Sequence, residues 1–114
     1  MITAKLTVNE INKSLSLEVK GHAGQAEYGH DIICASASIL MYTVAQIVTD
    51  TTVKGQAVSV IDINEGDAIV SCNCKTKKAY ADVLGAYYMA MVGYQLLAHN
   101  YPQYVEYKIV GEVE

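Results

Sequence analysis

The hydrophobic spacing of this chain switches between two periods, and the order of the switches leaves few folds open. Ile2, Ala4, Leu6 and Val8 alternate with Thr3, Lys5 and Thr7, and Leu15, Leu17 and Val19 alternate with Ser16, Glu18 and Lys20. A period of two gives each segment one apolar face, so the pattern predicts a two-stranded hairpin closed by an Asn9–Lys13 turn. A long stretch rich in alanine and aliphatics, about Asp31 to Thr52, reads as a helix. Val58 and Val60 open a third strand, the "NEGD" segment Asn64–Asp67 turns, and Ala68, Val70, Cys72 and Cys74 alternate as a fourth. Tyr80, Val83, Leu84, Tyr87, Met91, Tyr94 and Ala98 then recur every three or four residues, which predicts a second, amphipathic helix from about Ala79 to His99. Tyr101-Pro102 breaks it, because proline cannot continue the hydrogen-bond ladder. Val105, Tyr107 and Ile109 alternate as a last strand.

The predicted order is β-β-α-β-β-α-β. Such a chain makes an α+β fold of two layers, a mostly antiparallel sheet with two helices on one face. No linker, repeat or low-complexity tract interrupts the 114 residues, so residues 1–114 are expected to form a single domain. A chain of this length buries roughly 65% of its unfolded surface, enough for one core.

Composition removes several classes of function. Hydrophobic residues make up 52% and charged residues 18%, which is globular rather than disordered. The net charge is −4 and every basic residue is lysine, so the arginine-bearing basic stripe of a nucleic-acid binder is missing. A mildly acidic surface suits a basic partner instead. The cysteines number three, and residues 1–20 lack the layout of a secretory signal, which places the chain in the reducing cytoplasm with free thiols. Ile32–Thr49 carries no charge and approaches the length of a membrane span, but Ser36, Ser38, Thr43 and Gln46 dilute it. A buried helix of a soluble protein, with no membrane partner, is the expectation.

The reactive side chains gather in one stretch, "GHAGQAEYGHDIICASAS", residues 21–38. Asp31 stands where the long helix should begin and suits an N-cap. Cys34 would then occupy the third helical position, where unpaired amides and the helix dipole favour the thiolate, the nucleophilic form of cysteine. His22, at the end of the second strand, can be folded back by the intervening loop as a proton carrier, and the free amides can receive an oxyanion. Gly21, Gly24 and Gly29 permit tight backbone and close approach, and small alanines keep the walls low. Ser38 lies one turn after Cys34 on the same helix face.

Taken singly, each residue has a plainer explanation: an inert apolar cysteine, a surface histidine, a capping aspartate, a serine bonded to its own helix. Their coincidence is what points to Cys–His hydrolase or acyl-transfer chemistry. His30 beside Asp31 reads as a solvated loop histidine or a group that tunes the thiol. Cys72 and Cys74 share one strand face, so a mutual disulfide is disfavoured. No second Cys/His cluster completes a metal site, so no metal and no cofactor are expected. The surplus tyrosines leave room for a subunit contact.

The same stretch resembles the signature of the ribosomal-processing cysteine protease family, Prp: Gly-His-Ala, a short loop, Gly-x-Asp, two mostly aliphatic residues, then Cys-Ala-x-x-Ser. The likeness extends over the whole chain and includes the late "YPQYVEY". Ser36 departs from the glycine or alanine common at that place. The resemblance implies a homodimeric cysteine endopeptidase that removes the N-terminal extension of a bacterial large-subunit ribosomal protein, cutting after an aromatic-rich sequence. It implies His22 as general base and Cys34 as nucleophile, with Asp31 and Ser38 in supporting positions and Gly21 and Gly29 in a mobile loop. Two other readings stay open on the residues: the same chemistry directed at phage capsid or scaffold proteins, and a non-catalytic ribosome-associated protein that binds a basic tail.

Overall fold

The structure, a computed structural model, describes residues 1–22 and 30–112, the side chains of His30, Asp31 and Glu112 excepted. Its elements are β1 (Ile2–Asn9), β2 (Ser14–Lys20), α1 (His30–Val53), β3 (Ala57–Asn64), β4 (Asp67–Cys74), α2 (Lys77–Asn100) and β5 (Val105–Glu112). They form one five-stranded sheet in the order β3-β4-β2-β1-β5. Every pairing is antiparallel except β1 with β5, where Ile2 lies opposite Val105. The element order, the mostly antiparallel sheet and the helical layer agree with the sequence reading.

The alternation in β1 and β2 works as expected. Ile2, Ala4, Leu6 and Val8, and Leu15 and Leu17 across from them, are buried on one face. Ala68, Val70, Cys72 and Cys74 of β4 continue that face. Against it lie Ile33, Ala37, Met41, Val44 and Val48 of α1, and Ala79, Tyr80, Val83, Tyr87, Ala90, Met91 and Tyr94 of α2. Burying an aliphatic or aromatic side chain of this size contributes about 1.5–3 kcal/mol, so this layer contact dominates stability.

Two details lie beyond the sequence reading and a third differs from it. In β3, Val58 and Val60 face away from the helices and are 64% and 60% exposed. Register explains it: Ala57, Ser59, Ile61 and Ile63 lie opposite Cys74, Cys72, Val70 and Ala68, the helix-facing residues of β4. In β5, Tyr107 and Ile109 fall on the helix side opposite Ala4 and Leu6, yet both remain exposed because β5 is the sheet edge. The second helix starts at Lys77 rather than Ala79, capped by the Thr76 hydroxyl, which accepts from the Ala79 N–H at 3.1 Å.

The polar content of α1 is absorbed by the helix itself. The hydroxyls of Ser36, Thr43, Thr49, Thr51 and Thr52 each donate to the carbonyl four residues back, at 2.6–2.9 Å. Residues 32–53 therefore have the length and hydropathy of a membrane span, but one face of the helix is packed on the sheet and on α2. Two buried phenols fasten the layers. Tyr87 donates to the Val70 carbonyl at 2.9 Å, and Tyr94 donates to the Ala37 carbonyl at 2.7 Å.

Burial pushes the hydroxyls of Tyr87 and Tyr94 above the usual tyrosine range. Because the folded-state value is raised, this stabilisation is full below the unfolded tyrosine value of 10.0 and is lost as pH climbs above it. Urea unfolding midpoints are expected to fall steadily from about pH 10 upward. Tyr94→Phe should flatten that decline and lower stability at neutral pH by about 0.5–1.5 kcal/mol.

Candidate active site

The end of β2 delivers His22, and α1 delivers Cys34, to the lining of one cleft. At the end of β2 the chain turns at Gly21, whose φ is +97°, a left-handed value that costs a residue with a side chain strain. A Cβ there would also collide with the Met1 carbonyl oxygen. The Gly21 N–H donates to the Gly66 carbonyl at 2.9 Å, and the Met1 amine donates to the His22 carbonyl at 2.6 Å. The backbone on both sides of the imidazole is thus tied down. The ring rests on the β3–β4 turn, where the Cβ position of Gly66 lies 2.6 Å from His22 Cε1.

The cleft has a volume of about 340 Å³. One wall is α1, with Cys34, Ala37, Ser38, Met41 and Tyr42, and the facing rim is the turn Asn64–Asp67. Ile2, Val19, Ile63 and Ala68 complete an apolar base. Cys34 is an exposed free thiol. Cys34 and His22 both line this cleft, and among the described residues no hydrogen bond joins them.

The helix begins two residues earlier than a cap at Asp31 implies. His30 already belongs to α1, so Asp31 lies inside the first turn instead of capping it, and Cys34 is a full turn in. The dipole field falls off within the first turn, which makes its help to the sulfur smaller than at the third position. Side chains on a helix lean toward its N-terminus, so the thiol still projects over the opening turn. Gly29 and residues 23–28 lie outside the described residues, as do the side chains of His30 and Asp31.

Ser38 behaves unlike the other hydroxyls of α1. Among the described residues nothing accepts or donates to it, and it opens into the cleft beside Cys34. Back-bonding to its own helix, the plainer expectation, is not what the structure shows. Sequence reasoning missed the rim: "NEGD" read only as a turn, and nothing local indicated that strand order would bring it beside Gly21.

The two strand cysteines belong to the core. Cys72 and Cys74 are buried and free, with their sulfurs 3.7 Å apart. Burial, and then the neighbouring Cys74, push the Cys72 thiol up to about 12, and burial raises Cys74 as well. Among the described residues no group of three His, Cys, Asp or Glu is placed to hold a metal ion.

A family model described as cysteine protease Prp matches residues 1–106. A Staphylococcus aureus protein described as ribosomal processing cysteine protease Prp is 48% identical over 42 residues, which are 37% of this chain and 40% of that protein. The aligned segment thus spans well under half the length of that relative. SMU.848 from Streptococcus mutans has the same fold, with a TM-score of 0.69 at 29% identity over 98% of this chain and 96% of its own. The ribosomal processing protease Prp from S. aureus, solved with a covalently linked product peptide, superposes with a TM-score of 0.62 at 22% identity. That match covers 96% of this chain and 99% of the other.

The thiol environments predict selective chemistry. Brief iodoacetamide treatment of the native protein should add one carboxamidomethyl group, at Cys34, while Cys72 and Cys74 react only after denaturation. Peptide mapping by mass spectrometry checks this; early labelling of the strand pair would contradict the burial described.

Proposed function

The chain belongs to the cysteine protease Prp family, and from that premise we propose that it is a cytoplasmic cysteine endopeptidase acting as one domain. Its proposed substrate is the N-terminal extension of a bacterial large-subunit ribosomal protein, cut after an aromatic-rich sequence. The observation that carries the reading is that an exposed thiol and an imidazole line the same cleft. The S. aureus protein solved with a covalently linked product peptide supports a covalent route.

In that route the His22 imidazole takes the Cys34 proton as the sulfur attacks the scissile carbonyl. The carbonyl π electrons move to oxygen, and the resulting oxyanion lies toward the unpaired amides that open α1. As the tetrahedral species collapses, the C–N bond breaks and the imidazolium protonates the departing amine. Water, deprotonated by His22, then attacks the thioester, frees the new carboxylate and returns the proton to sulfur. Proton transfer of this kind contributes about 10²–10⁴ in rate.

The apolar base of the cleft fits an aromatic-rich segment, and the carboxylates of Glu65 and Asp67 on its rim fit a basic tail. The Ser38 hydroxyl, without a partner among the described residues, can bind the substrate backbone. The protein acts as a homodimer in this reading. Ile47 and Met89 are exposed beside an apolar groove of about 430 Å³ between α1 and α2, a surface suited to a second copy.

Incubation with a peptide spanning the ribosomal extension should yield one cut, seen by mass spectrometry. Cys34→Ala should fold normally and leave the peptide intact, and His22→Gln should slow turnover by about 10²-fold or more. Ser38→Ala should weaken KM more than kcat. Turnover by Cys34→Ala would refute the assignment, and exclusive cutting of a phage capsid peptide would move the substrate. Sedimentation should give twice the chain mass, falling to the monomer in Met89→Glu.

A further inference from the structure

We infer that Gly66, in the turn between β3 and β4, is a positioning residue for the His22 imidazole, an inference that rests on His22 acting as the base. The contact is made at the Nε2 end of the ring. A Cβ on Gly66 would fall 2.6 Å from Cε1 and 3.2 Å from Cδ2, with Nε2 nearer still. Real side-chain carbons do not approach that closely, so the imidazole occupies space that only glycine leaves open.

Backbone conformation alone does not account for the residue. Gly66 has φ of +75°, and Gly55, in the turn after α1, has φ of +76° with nothing within 4 Å of its Cβ position. The two glycines share a conformational demand and differ in what lies beside them. The turn is also fixed relative to the imidazole's own backbone, because the Gly66 carbonyl accepts the Gly21 N–H at 2.9 Å. A side chain at position 66 therefore cannot be relieved by sliding the turn away. The movable partner is the ring, the far end of a rotatable side chain, and it must swing within the cleft that holds Cys34. The cost of the substitution falls on proton transfer rather than on folding.

Asparagine separates the two demands, since it tolerates positive φ but carries a Cβ. The test compares full-length Gly66→Asn, Gly55→Asn and His22→Gln with the unmodified chain, using the ribosomal-extension peptide. Misplacing a reacting group by about 1 Å costs on the order of 10²-fold. Gly66→Asn should therefore lose about 10²-fold in kcat with little change in KM and shift the His22 ring resonances, while unfolding at the same urea concentration as Gly55→Asn. Gly55→Asn should keep unmodified turnover and ring resonances. In the unmodified protein a nuclear Overhauser contact should join His22 Hε1 to the Gly66 α-protons, and its absence overturns the inference even should Gly66→Asn fail to fold. Unmodified kcat in Gly66→Asn beside an inactive His22→Gln overturns the positioning role alone. Unmodified turnover in His22→Gln removes the base assignment and this inference with it.

Discussion

The active cleft depends on the antiparallel pairing of β2 with β4 continuing past the ends of both strands. Lys20 lies opposite Asp67, and the next hydrogen bond, from the Gly21 N–H to the Gly66 carbonyl, fixes the exit of β2 to the β3–β4 turn. That bond sets His22 against the turn, and α1, packed over β3 and β4, brings Cys34 to the same cleft. A one-residue slip of β2 on β4 would turn Leu15 and Leu17 toward solvent, so the register that aims the histidine is enforced by the core. Site geometry and folding stability are in this respect a single requirement.

The helix that bears the thiol has to satisfy two demands. It needs an apolar face for the core, which Ile33, Ala37, Met41, Val44 and Val48 provide, and a wall facing the cleft where polar groups remain available. Most of its hydroxyls are turned back onto helix carbonyls, and that of Thr52 also bonds Ser59 on β3. Ser38 stands apart from this pattern, and it stands in the cleft. Tyr94 secures the same stretch of α1 by donating to the Ala37 carbonyl, so the turn after Cys34 is pinned from beneath by a buried phenol on α2.

Much of this was readable in the residues. Period-two alternation in Ile2–Val8 and Leu15–Val19, and the stripe from Tyr80 to Ala98, reported elements whose hydrophobic faces really are buried. The stretch 21–38 offered Cys34 and His22 as candidates from chemical type alone, and the fold brings both to one cleft. What could not be read is non-local. That β4 sits beside β2, that β5 pairs in parallel with β1, and that the "NEGD" turn therefore becomes a wall of the site all follow from strand order. The outward facing of Val58 and Val60 is non-local for a related reason. On an edge strand either face can carry β-branched residues, and only the pairing with β4 reveals which side is inward. The start of α1 lies earlier than a cap at Asp31 implies, which places Cys34 fifth rather than third in the helix and weakens the dipole's effect on it.

The central claim is that the Cys34 sulfur forms a covalent bond to the substrate's acyl group while His22 handles the proton. Acid-quenched mixing with an activated ester of the aromatic-rich peptide, followed by mass spectrometry, observes that bond directly. The account predicts a transient adduct equal to the acyl fragment, mapped to Cys34 and decaying as free acid appears. Free acid released at the full rate with no adduct at any time, or an adduct residing on another side chain, would contradict it.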